Sequence, residues 1–289
     1  MKKEGTQIHG IIGARGPHRP TSLVGGNGES EIYTIPYKYT QAVVRRAEQW
    51  DYGSLAKEEL LRRLAVHQSV IEKVMVDYAV LPMKFGTFAK DDEEVVRILQ
   101  SGYPWLRRTL AAVADKIEID VVAIWEDLGP IFGAIGEEDR IRELKERIGG
   151  KPAAETQEER VQLGKMVKAS LEARRARCRE DILSVLTSPS LTRDHRVNDV
   201  MDDSMIMNVA FLMDRHQEEA FDARVKALDH RFDGSIHFRC VGPLPPYSFS
   251  TLEVSRIPSE EVKAACEILG VSEGASLAHV KAAHRRLAR

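Results

Sequence analysis

Cysteine is scarce in this sequence, which argues against a protein held together by disulfides or by bound zinc. The three cysteines, Cys178, Cys240 and Cys266, lie far apart in a chain of 289 residues. Such spacing suits neither a disulfide framework nor a zinc site, and it indicates reduced thiols in a cytoplasmic protein. The nine histidines are dispersed as well, with no HExxH or paired ligand spacing. We therefore expect no metal site.

Long apolar runs and an excess of one charge are also missing. No window approaches the length of about 18 apolar residues that a membrane span needs. The N-terminus, MKKEGTQIHGIIGARG, has no apolar stretch long enough for a signal peptide. Lys and Arg total 42 against 44 Asp and Glu. Global charge therefore favours neither nucleic acid nor an anionic membrane as a partner.

The residues that are present have the balance of a globular protein. Hydrophobic residues make up 43% of the chain and charged residues 30%. This balance permits a substantial core and is unlike that of a disordered chain. The length is enough for about two domains of ordinary size.

No arrangement of residues indicates catalysis or cofactor binding. The chain has no GxSxG nucleophile motif. The glycine-rich run GGNG at 25–28 lacks the Lys-Ser/Thr pair of a phosphate-binding loop. Asp214 next to His216 is better explained as a cap, with Gln217, of the helix that follows than as an acid–base pair. We predict no catalytic, cofactor-binding or metal-binding residues and a protein that is not an enzyme.

Residues 1–127 predict an N-terminal α+β domain. Residues 13–30 are rich in Gly, Pro and Ser and predict a mobile loop. Asp91 and Glu94 have the spacing of a capping box before a helix. The run DKIEIDVVAIWED is the clearest strand in the chain, because apolar and charged residues alternate along it. The order of elements predicts one antiparallel sheet with helices on one face, in a ferredoxin-like arrangement.

The segment EIYTIPYKYTQAVV within this domain also alternates. Pro36 interrupts it, and proline removes a hydrogen-bond donor from a sheet. The segment therefore predicts either an edge strand or two short strands that are separated at Pro36.

Residues 128–257 predict a second α+β domain with long helices over 129–188 and a small sheet. The apolar stripe of the longest helix is thin, which is typical of a helix that projects or pairs with one partner helix. SMIMNVAFLMDR and GSIHFRCV read as strands that flank a helix. Residues 258–289 predict a separate helical tail.

The run ARRARCR places four arginines, at 174, 175, 177 and 179, on the long helix. They indicate a phosphate-binding surface and therefore a nucleic-acid-binding regulator as an alternative function. Acidic neighbours dilute the cluster, and no aromatic residues interleave for base stacking. A solvated face, or one that forms intermolecular salt bridges, is the favoured interpretation.

Three motifs resemble one family. VLPMKFGT (80–87) resembles its LPMRFGT signature, and NVAFLMDR (208–215) resembles its apolar strand that ends in Asp-Arg. GPLPPYSF (242–249) resembles its GPWPPYSF signature, with Leu244 in place of the usual Trp. The family is the gas vesicle protein L/F family, and the resemblance extends from about residue 30 to residue 252.

The motif residues that we single out as structural or partner-binding are Leu81, Pro82, Met83, Phe85, Gly86, Phe211, Asp214, Arg215, Gly242, Pro243, Pro245, Pro246, Tyr247 and Phe249. Leu81, Met83 and Phe85 alternate and share one face of a predicted strand.

The resemblance implies an assembly factor or minor structural component of gas vesicles rather than an enzyme. It implies binding to the hydrophobic shell protein and to other accessory gas vesicle proteins. It also implies a location in the cytoplasm, at the gas vesicle, and a two-domain α+β build with a ferredoxin-like N-terminal domain. Neither nucleic acid nor a membrane is expected as a partner.

The tail carries a second resemblance. ACEILGVSEGASLAHVKAAHRRLAR (265–289) looks like the opening of a J-domain, with a short helix, a turn and a basic helix. His284 replaces the usual Tyr, and no His-Pro-Asp loop follows in the sequence. Contact with Hsp70 is therefore not supported.

The proline-rich end of the third motif has two interpretations. Pro243, Pro245 and Pro246 remove three N–H donors and fix φ, so we expect the sheet to end there in a stiff corner. A structural corner is favoured, and a partner-binding surface made by Tyr247 and Phe249 remains open.

Overall fold

The chain folds into two compact units, residues 1–252 and residues 253–289. The computed structural model describes residues 4–13, 22–24, 31–50, 53, 55–255 and 259–288. Most of the loop predicted over 13–30 lies outside the described residues; in the rest, Gly13 ends one strand and Ser22–Val24 forms another. The predicted division of the body at 127/128 stays a prediction.

The first sheet is antiparallel throughout the described residues. Its strands are β1 (Glu4–Gly13), β2 (Ser22–Val24), β3 (Ile32–Tyr37), β4 (Thr40–Glu48), β5 (Val80–Pro82) and β6 (Phe88–Ala89). Their order is β2-β3-β4-β1-β5, and β6 also pairs with β1. Helices α1 (Lys57–Val74) and α2 (Asp92–Val113) pack against this sheet.

Helix α2 begins where its sequence predicts. The side chain of Asp91 accepts a hydrogen bond of 2.9 Å from the Glu94 backbone N–H. The Glu94 carboxylate in turn accepts from the backbone N–H of Lys90. These bonds satisfy donors that the first turn of a helix leaves unpaired, so the predicted capping interaction is confirmed.

The segment EIYTIPYKYTQAVV forms a hairpin, and its break lies after Pro36. Strand β3 continues through Pro36 to Tyr37, which pairs with Thr40 of β4. The turn is therefore the two residues Lys38 and Tyr39. Neither is the Gly or Asn that usually marks such a turn, so the turn could not be recognised from the sequence.

The second sheet lies in the same unit and is also antiparallel. Its strands are β7 (Lys116–Trp125), β8 (Asp194–Val197), β9 (Met205–Asp214) and β10 (Ile236–Leu244). The helices of this part are α3 (Gly129–Gly136), α4 (Asp139–Ile148), α5 (Gln157–Leu186), α6 (Glu218–Phe232) and the single turn α7 (Tyr247–Ser250). Helix α5 packs on β9 and on α3, α4 and α6. The α+β class with antiparallel sheets is confirmed.

The ferredoxin-like arrangement lies in the second sheet, whereas we expected it in the first. The strand order β10-β7-β9-β8, with helices after β7 and after β9, is the β-α-β-β-α-β order of that fold. Strand β7 was expected to complete the first sheet, but it is the central strand of the second. Its partners come from residues 205–214 and 236–244. Alternation identifies a strand but cannot identify partners so distant in the chain.

One hydrophobic core joins the two sheets. Val43 of β4 and Ile71 of α1 belong to the same cluster of buried side chains as Ile117 of β7, Phe211 of β9 and Phe221 of α6. Each such side chain contributes roughly 1.5–3 kcal/mol on burial. The described residues of this unit are therefore held by a continuous apolar interior that includes both sheets.

The tail contains two helices, α8 (Ser259–Leu269) and α9 (Leu277–Leu287). The Ser276 side chain caps α9 by accepting a hydrogen bond from His279 N–H, and Gly270 turns the chain with a φ of 65°. Glycine adopts this left-handed conformation without the penalty that other residues incur. The resemblance of the tail to a J-domain stays a prediction.

Candidate functional site

The first motif lies at an edge of the first sheet and is covered by the end of the third. Leu81 and Met83 are fully buried. The backbone N–H of Leu252 donates to the carbonyl of Pro82, and Lys84 N–H donates to the carbonyl of Leu252, both at 2.7 Å. Met83 and Leu252 thereby form a parallel bridge. The outer edge of the first motif is consequently already paired at Pro82 and Lys84.

The end of this motif leaves the strand in a turn. Phe85, predicted on the same strand face as Leu81, lies beyond the end of β5, and Gly86 has a φ of 80°. The Phe85 ring contacts Trp50 and His67, with ring centroids 5.0 and 5.4 Å apart. The motif therefore places one aromatic ring against a buried histidine.

That histidine is one of a pair between the first sheet and α1. His9 of β1 and His67 of α1 are almost completely buried, with ring centroids 5.0 Å apart. His67 Nε2 lies 3.0 Å from the carbonyl oxygen of Met83, to which it donates a hydrogen bond. Neither ring nitrogen of His9 finds a hydrogen-bond partner among the described residues.

Burial determines the protonation of both rings. It lowers the pKa of His9 well below the usual value, and the neighbouring His67 and Arg45 add to the effect. Burial also lowers the pKa of His67 to about 4. Both rings are neutral near pH 7, because a charged imidazole loses its hydration in this site. We did not single out this pair from the sequence.

The second motif supplies core and ion pairs. Phe211 is fully buried, and its ring centroid lies 5.3 Å from that of Phe221. The Asp214 carboxylate accepts hydrogen bonds from Arg193, which lower its pKa, and its Oδ1 lies 3.6 Å from Lys116 Nζ. Asp214 makes no side-chain cap of the following helical turn, so the predicted cap is wrong. The carboxylate is held by cations of β7 and of the segment before β8.

The residues beside Asp214 also differ from the prediction or connect this motif to other elements. The side chain of Gln217 does not cap α6, so this part of the predicted cap is wrong as well. Arg215, the last residue of the motif, donates from Nη2 to the Met75 carbonyl at 3.1 Å and from its backbone N–H to the Asp115 carbonyl at 2.8 Å. It links the end of β9 to the ends of α1 and α2.

In the third motif, the strand continues past its first proline. Strand β10 runs through the cis Gly242–Pro243 peptide to Leu244, which pairs with Glu118 across an irregularity in register. The expectation that the sheet ends at Pro243 is wrong, because β10 is an edge strand and an edge tolerates a missing N–H donor. A Cβ on Gly242 would lie 3.0 Å from the Glu118 carbonyl, so glycine permits the close approach. The corner is made by buried Pro245 and Pro246.

The corner delivers α7 to a buried carboxylate. Both Glu118 oxygens accept hydrogen bonds from Ser248, one from the backbone N–H at 2.8 Å and one from Oγ at 2.7 Å. Glu118 is 1% exposed, and burial raises its pKa to about 7. Burial also raises the pKa of Asp120, on the same face of β7. We did not single out Glu118 or Ser248 from the sequence, although the charged face of the β7 pattern indicated that Glu118 and Asp120 lie side by side.

The two aromatic residues of this motif have different surroundings. The Tyr247 hydroxyl is buried without a hydrogen-bond partner in the part of the chain that the structure describes, and burial raises its pKa. Phe249 is half-buried, with the Arg196 guanidinium 5.7 Å from its ring centroid.

The three motifs therefore meet in one place, which we call the motif junction (residues 80–87, 208–215 and 242–252). Leu252, three residues after the third motif, joins that motif to the first. Pro246 and Arg215 line the same small cavity with Met75 and Val80, which brings the second motif to the third. The junction connects the two sheets through backbone hydrogen bonds, the Arg215 hydrogen bond to the Met75 carbonyl and buried side chains. Its arrangement suits a structural hub.

The arginine-rich face of α5 is used within the molecule. Arg175 is buried, contacts Glu172, donates to the Asp203 carbonyl at 2.9 Å and lies over the Trp125 ring. Arg174 donates to Glu138 at 2.9 Å. Two of the four arginines thus form contacts within the molecule, whereas we expected a solvated face or intermolecular salt bridges.

Neither a metal cluster nor a membrane span is found within the described ranges. No group of three or more His, Cys, Asp and Glu side chains there is placed to hold a metal ion. None of the described helices has the length and apolar character needed to cross a membrane.

A family model supplies the observation that decides the relationship of this chain. The model of the family described as gas vesicle synthesis protein GvpL/GvpF matches residues 5–251. The chain belongs to this family. The match spans all three motifs and both sheets, and it supports a role in gas vesicle formation.

Curated relatives agree with this family. The chain is 27% identical to gas vesicle protein F of Nostoc sp. over 209 residues, which cover 70% of this chain and 83% of the relative. It is 29% identical to gas vesicle protein F of a Streptomyces species over 254 residues, or 84% of this chain and 98% of the relative. Gas vesicle protein L1 of Halobacterium salinarum is 25% identical over 265 residues, or 85% and 90%.

Solved structures share the fold. The crystal structure of GvpF from Anabaena sp. aligns with a TM-score of 0.74 at 24% identity, covering 88% of this chain and 100% of that one. GvpF from Microcystis aeruginosa aligns with a TM-score of 0.70 at 23% identity, covering 86% and 99%.

Proposed function

We propose that this protein is an assembly factor or minor structural component of gas vesicles that binds the hydrophobic shell protein and other accessory gas vesicle proteins. The family match over residues 5–251 carries the proposal. In this proposal the protein acts in the cytoplasm at the gas vesicle, without catalysis, and in a chaperone-like manner. A very apolar shell subunit aggregates unless a partner covers its surface before assembly, which gives such a protein a physical purpose.

The free sheet edges narrow the possible binding modes. Addition of a strand beside the first motif is disfavoured, because Leu252 already occupies the outer edge of β5. Strand β8 is an edge of the second sheet, but its four residues are all exposed and include Asp194 and Arg196. Charged residues on an edge strand oppose pairing with another chain. Packing of a partner helix against the body is therefore favoured over strand addition at β5 or β8.

The motif residues act mainly through structure. Leu81, Met83 and Phe211 are inaccessible to a partner, and Pro245 and Pro246 are buried in the corner. Their role in this proposal is to fix the two sheets to each other, so that the exposed surfaces keep one geometry. A substitution in the junction would then weaken partner binding through loss of stability.

Co-purification tests the proposal. The tagged chain is expressed together with the shell protein and captured, with an unrelated α+β protein of similar size as the control bait. We expect the shell protein to be retained by this chain and not by the control. Equal retention by both baits, or retention by neither while a known shell-binding accessory protein retains it, would contradict the proposal.

Flotation of washed vesicles then separates the two forms of the proposal. A minor structural component rises with intact vesicles and resists washing. A transient assembly factor is captured with the shell protein but is left in the subnatant.

A nucleic-acid-binding regulator is the weaker alternative. Arg174 and Arg175 are already paired within the molecule, which leaves Arg177 and Arg179 of the predicted cluster. Binding to nucleic acid would weaken steeply with added salt. A gel-shift series that shows no complex at low salt would exclude it.

A further inference from the structure

A cluster of tyrosines and cations lies at the tip of the β3–β4 hairpin, away from the motif junction. It consists of Tyr37, Lys38 and Tyr39 of the hairpin with Tyr103 and Arg107 of α2, and we call it the tyrosine–cation patch. The Tyr37 and Tyr103 rings meet edge to face, with centroids 5.5 Å apart. Tyr103 and Arg107 are one helical turn apart and share a face of α2.

Each cation of the patch lies over aromatic rings. Lys38 Nζ is 5.3 Å from the Tyr37 centroid and 5.1 Å from the Tyr103 centroid. The Arg107 guanidinium is 5.3 Å from the Tyr39 centroid. Cation–π attraction therefore holds both charges at defined positions on the surface.

The backbone at Lys38 is strained, and this strained conformation is the one in which the Lys38 ammonium group lies over the two tyrosine rings. Lys38 is the first central residue of a two-residue hairpin turn and has a φ of 51°. Such positions favour Gly, Asn or Asp, because other side chains meet the backbone there. Glycine would relieve the strain but would remove the charge over the two rings. A strained residue that carries a specifically held group suggests a functional role.

The charges of the patch are not neutralised within the molecule. Lys38 and Arg107 are exposed, as is Tyr39 at 49%, and neither cation forms an ion pair with any described residue. Other basic residues of the same region do pair: Arg46 with Asp92 at 2.9 Å and Arg63 with Glu59 at 2.6 Å. The patch thus offers two fixed positive charges on an apolar aromatic base.

An acidic protein segment fits this surface better than nucleic acid does. The cations lie over the tyrosine rings, so they obstruct the ring faces on which bases would stack. Two charges are also too few to follow a phosphate backbone. A carboxylate binds guanidinium and ammonium groups well, and apolar side chains beside it contact the exposed ring edges.

We infer that the tyrosine–cation patch binds an acidic segment of a partner protein. The inference goes beyond the proposed function, because it specifies the chemistry of a bound segment and holds whether or not that partner is the shell protein.

Peptide titration of the full chain tests the inference. The probes are two fluorescein-labelled peptides of alternating leucine and charged residues, one with glutamate and one with lysine, and a labelled single-stranded oligonucleotide. We expect the glutamate peptide to bind, the lysine peptide not to bind, and affinity to fall as salt rises. No binding of the glutamate peptide at about 1 mM, or equal binding of both peptides, overturns the inference. Tighter binding of the oligonucleotide overturns it in favour of nucleic acid.

Charge-reversal variants locate the site. Lys38→Glu combined with Arg107→Glu is expected to weaken glutamate-peptide binding by about tenfold or more, since two exposed charge contacts are reversed. Lys165→Glu combined with Lys168→Glu changes the net charge equally at two exposed positions of α5 and is the matched control. Equal losses in both double variants would show that only net charge matters and would overturn the inference.

Lys38→Gly separates binding from folding. Glycine relaxes the turn, so we expect its melting temperature to equal or exceed that of the wild type while peptide affinity falls. A variant that is more stable and retains full affinity would show that Lys38 takes no part in binding. Failure of this titration leaves the co-purification result unaffected, so the two proposals can fail separately.

Discussion

The histidine pair of the first sheet and the carboxyl pair of the second both contact the motif junction, but they respond to pH in opposite directions. Burial lowers the pKa of His67 from 6.5 to about 4, so the folded state favours the neutral ring. Burial raises the pKa of Glu118 from 4.5 to about 7, so the folded state favours the protonated carboxyl. One cluster carries a base and the other an acid, and in each the effect of burial exceeds that of the hydrogen bonds to Met83 or Ser248.

The direction of each effect follows from linkage between protonation and folding. The stability that His67 provides is complete above pH 6.5 and is lost as the pH falls toward 4. The stability that Glu118 provides is complete below pH 4.5 and is lost as the pH rises toward 7. Because the two windows overlap, the contributions largely offset each other between pH 4.5 and 6.5. Single substitutions should reveal slopes that the wild type conceals.

The largest effect should come from the core that both regions share. Phe211→Ala removes a fully buried ring and should lower the free energy of unfolding by about 3–5 kcal/mol. Urea denaturation followed by tryptophan fluorescence measures it, and the transition should remain single because the core is continuous. Val197→Ala on exposed β8 is the control and should change stability by less than about 0.5 kcal/mol. Two separate transitions would show that the sheets fold independently.

His67→Gln should remove the loss of stability that His67 causes as the pH falls. Gln retains an N–H donor for the Met83 carbonyl but does not titrate. Between pH 7 and pH 5 the variant should gain about 2 kcal/mol of unfolding free energy relative to the wild type. Denaturant midpoints at both pH values measure the difference. The exposed His237→Gln serves as the control, and an equal gain there would refute the assignment to the buried ring.

Glu118→Gln should produce the opposite slope. Removing the carboxylate abolishes the cost of ionising it, so from pH 5 to pH 7 this variant should gain about 2 kcal/mol relative to the wild type. The absolute stability also reflects the altered hydrogen bonds with Ser248, and for this reason the slope is compared. Exposed Glu126→Gln is the matched control. A slope identical to that of the wild type would mean that Glu118 is ionised as readily as an exposed glutamate.

The smallest effect should come from loss of the Ser248 hydroxyl, which donates a hydrogen bond to the Glu118 carboxylate. Ser248→Ala removes one of two hydrogen bonds to Glu118 and should cost about 1 kcal/mol at pH 8. The loss should shrink when Glu118→Gln is already present, which a double-mutant cycle measures. Ser101→Ala, where the hydroxyl bonds only to its own helix, should be nearly neutral. Additive losses in the cycle would show that Ser248 acts independently of Glu118.

Much of the local structure could be predicted from the sequence, because local structure depends on neighbouring residues. The start of α2, the strand β7 and the three motifs were all visible as short patterns. The hairpin turn was not predicted, because Lys38 and Tyr39 are not typical turn residues and Pro36 left both an edge strand and a break open. The extent of β10 was underestimated because proline ends an interior strand but not an edge strand.

The histidine pair and the Glu118–Ser248 contact could not be predicted from the sequence, for a different reason. His9 and His67 lie on separate elements, and Glu118 meets Ser248 across 130 positions of sequence. Strand pairing and helix packing bring these groups together, and no periodicity in the chain records which partner each one meets. The prediction that β7 completes the first sheet failed for the same reason.

The bridge between Met83 and Leu252 has a consequence for synthesis. Residues that emerge late from the ribosome complete an edge formed by residues that emerged early, and contacts of such sequence separation form slowly. Until Leu252 docks, β5 presents unpaired backbone groups on a nascent chain that has already made most of both sheets. An open strand edge is a template for association with other chains. The last residues of the body therefore act as a closure that shortens the period in which the new protein can aggregate.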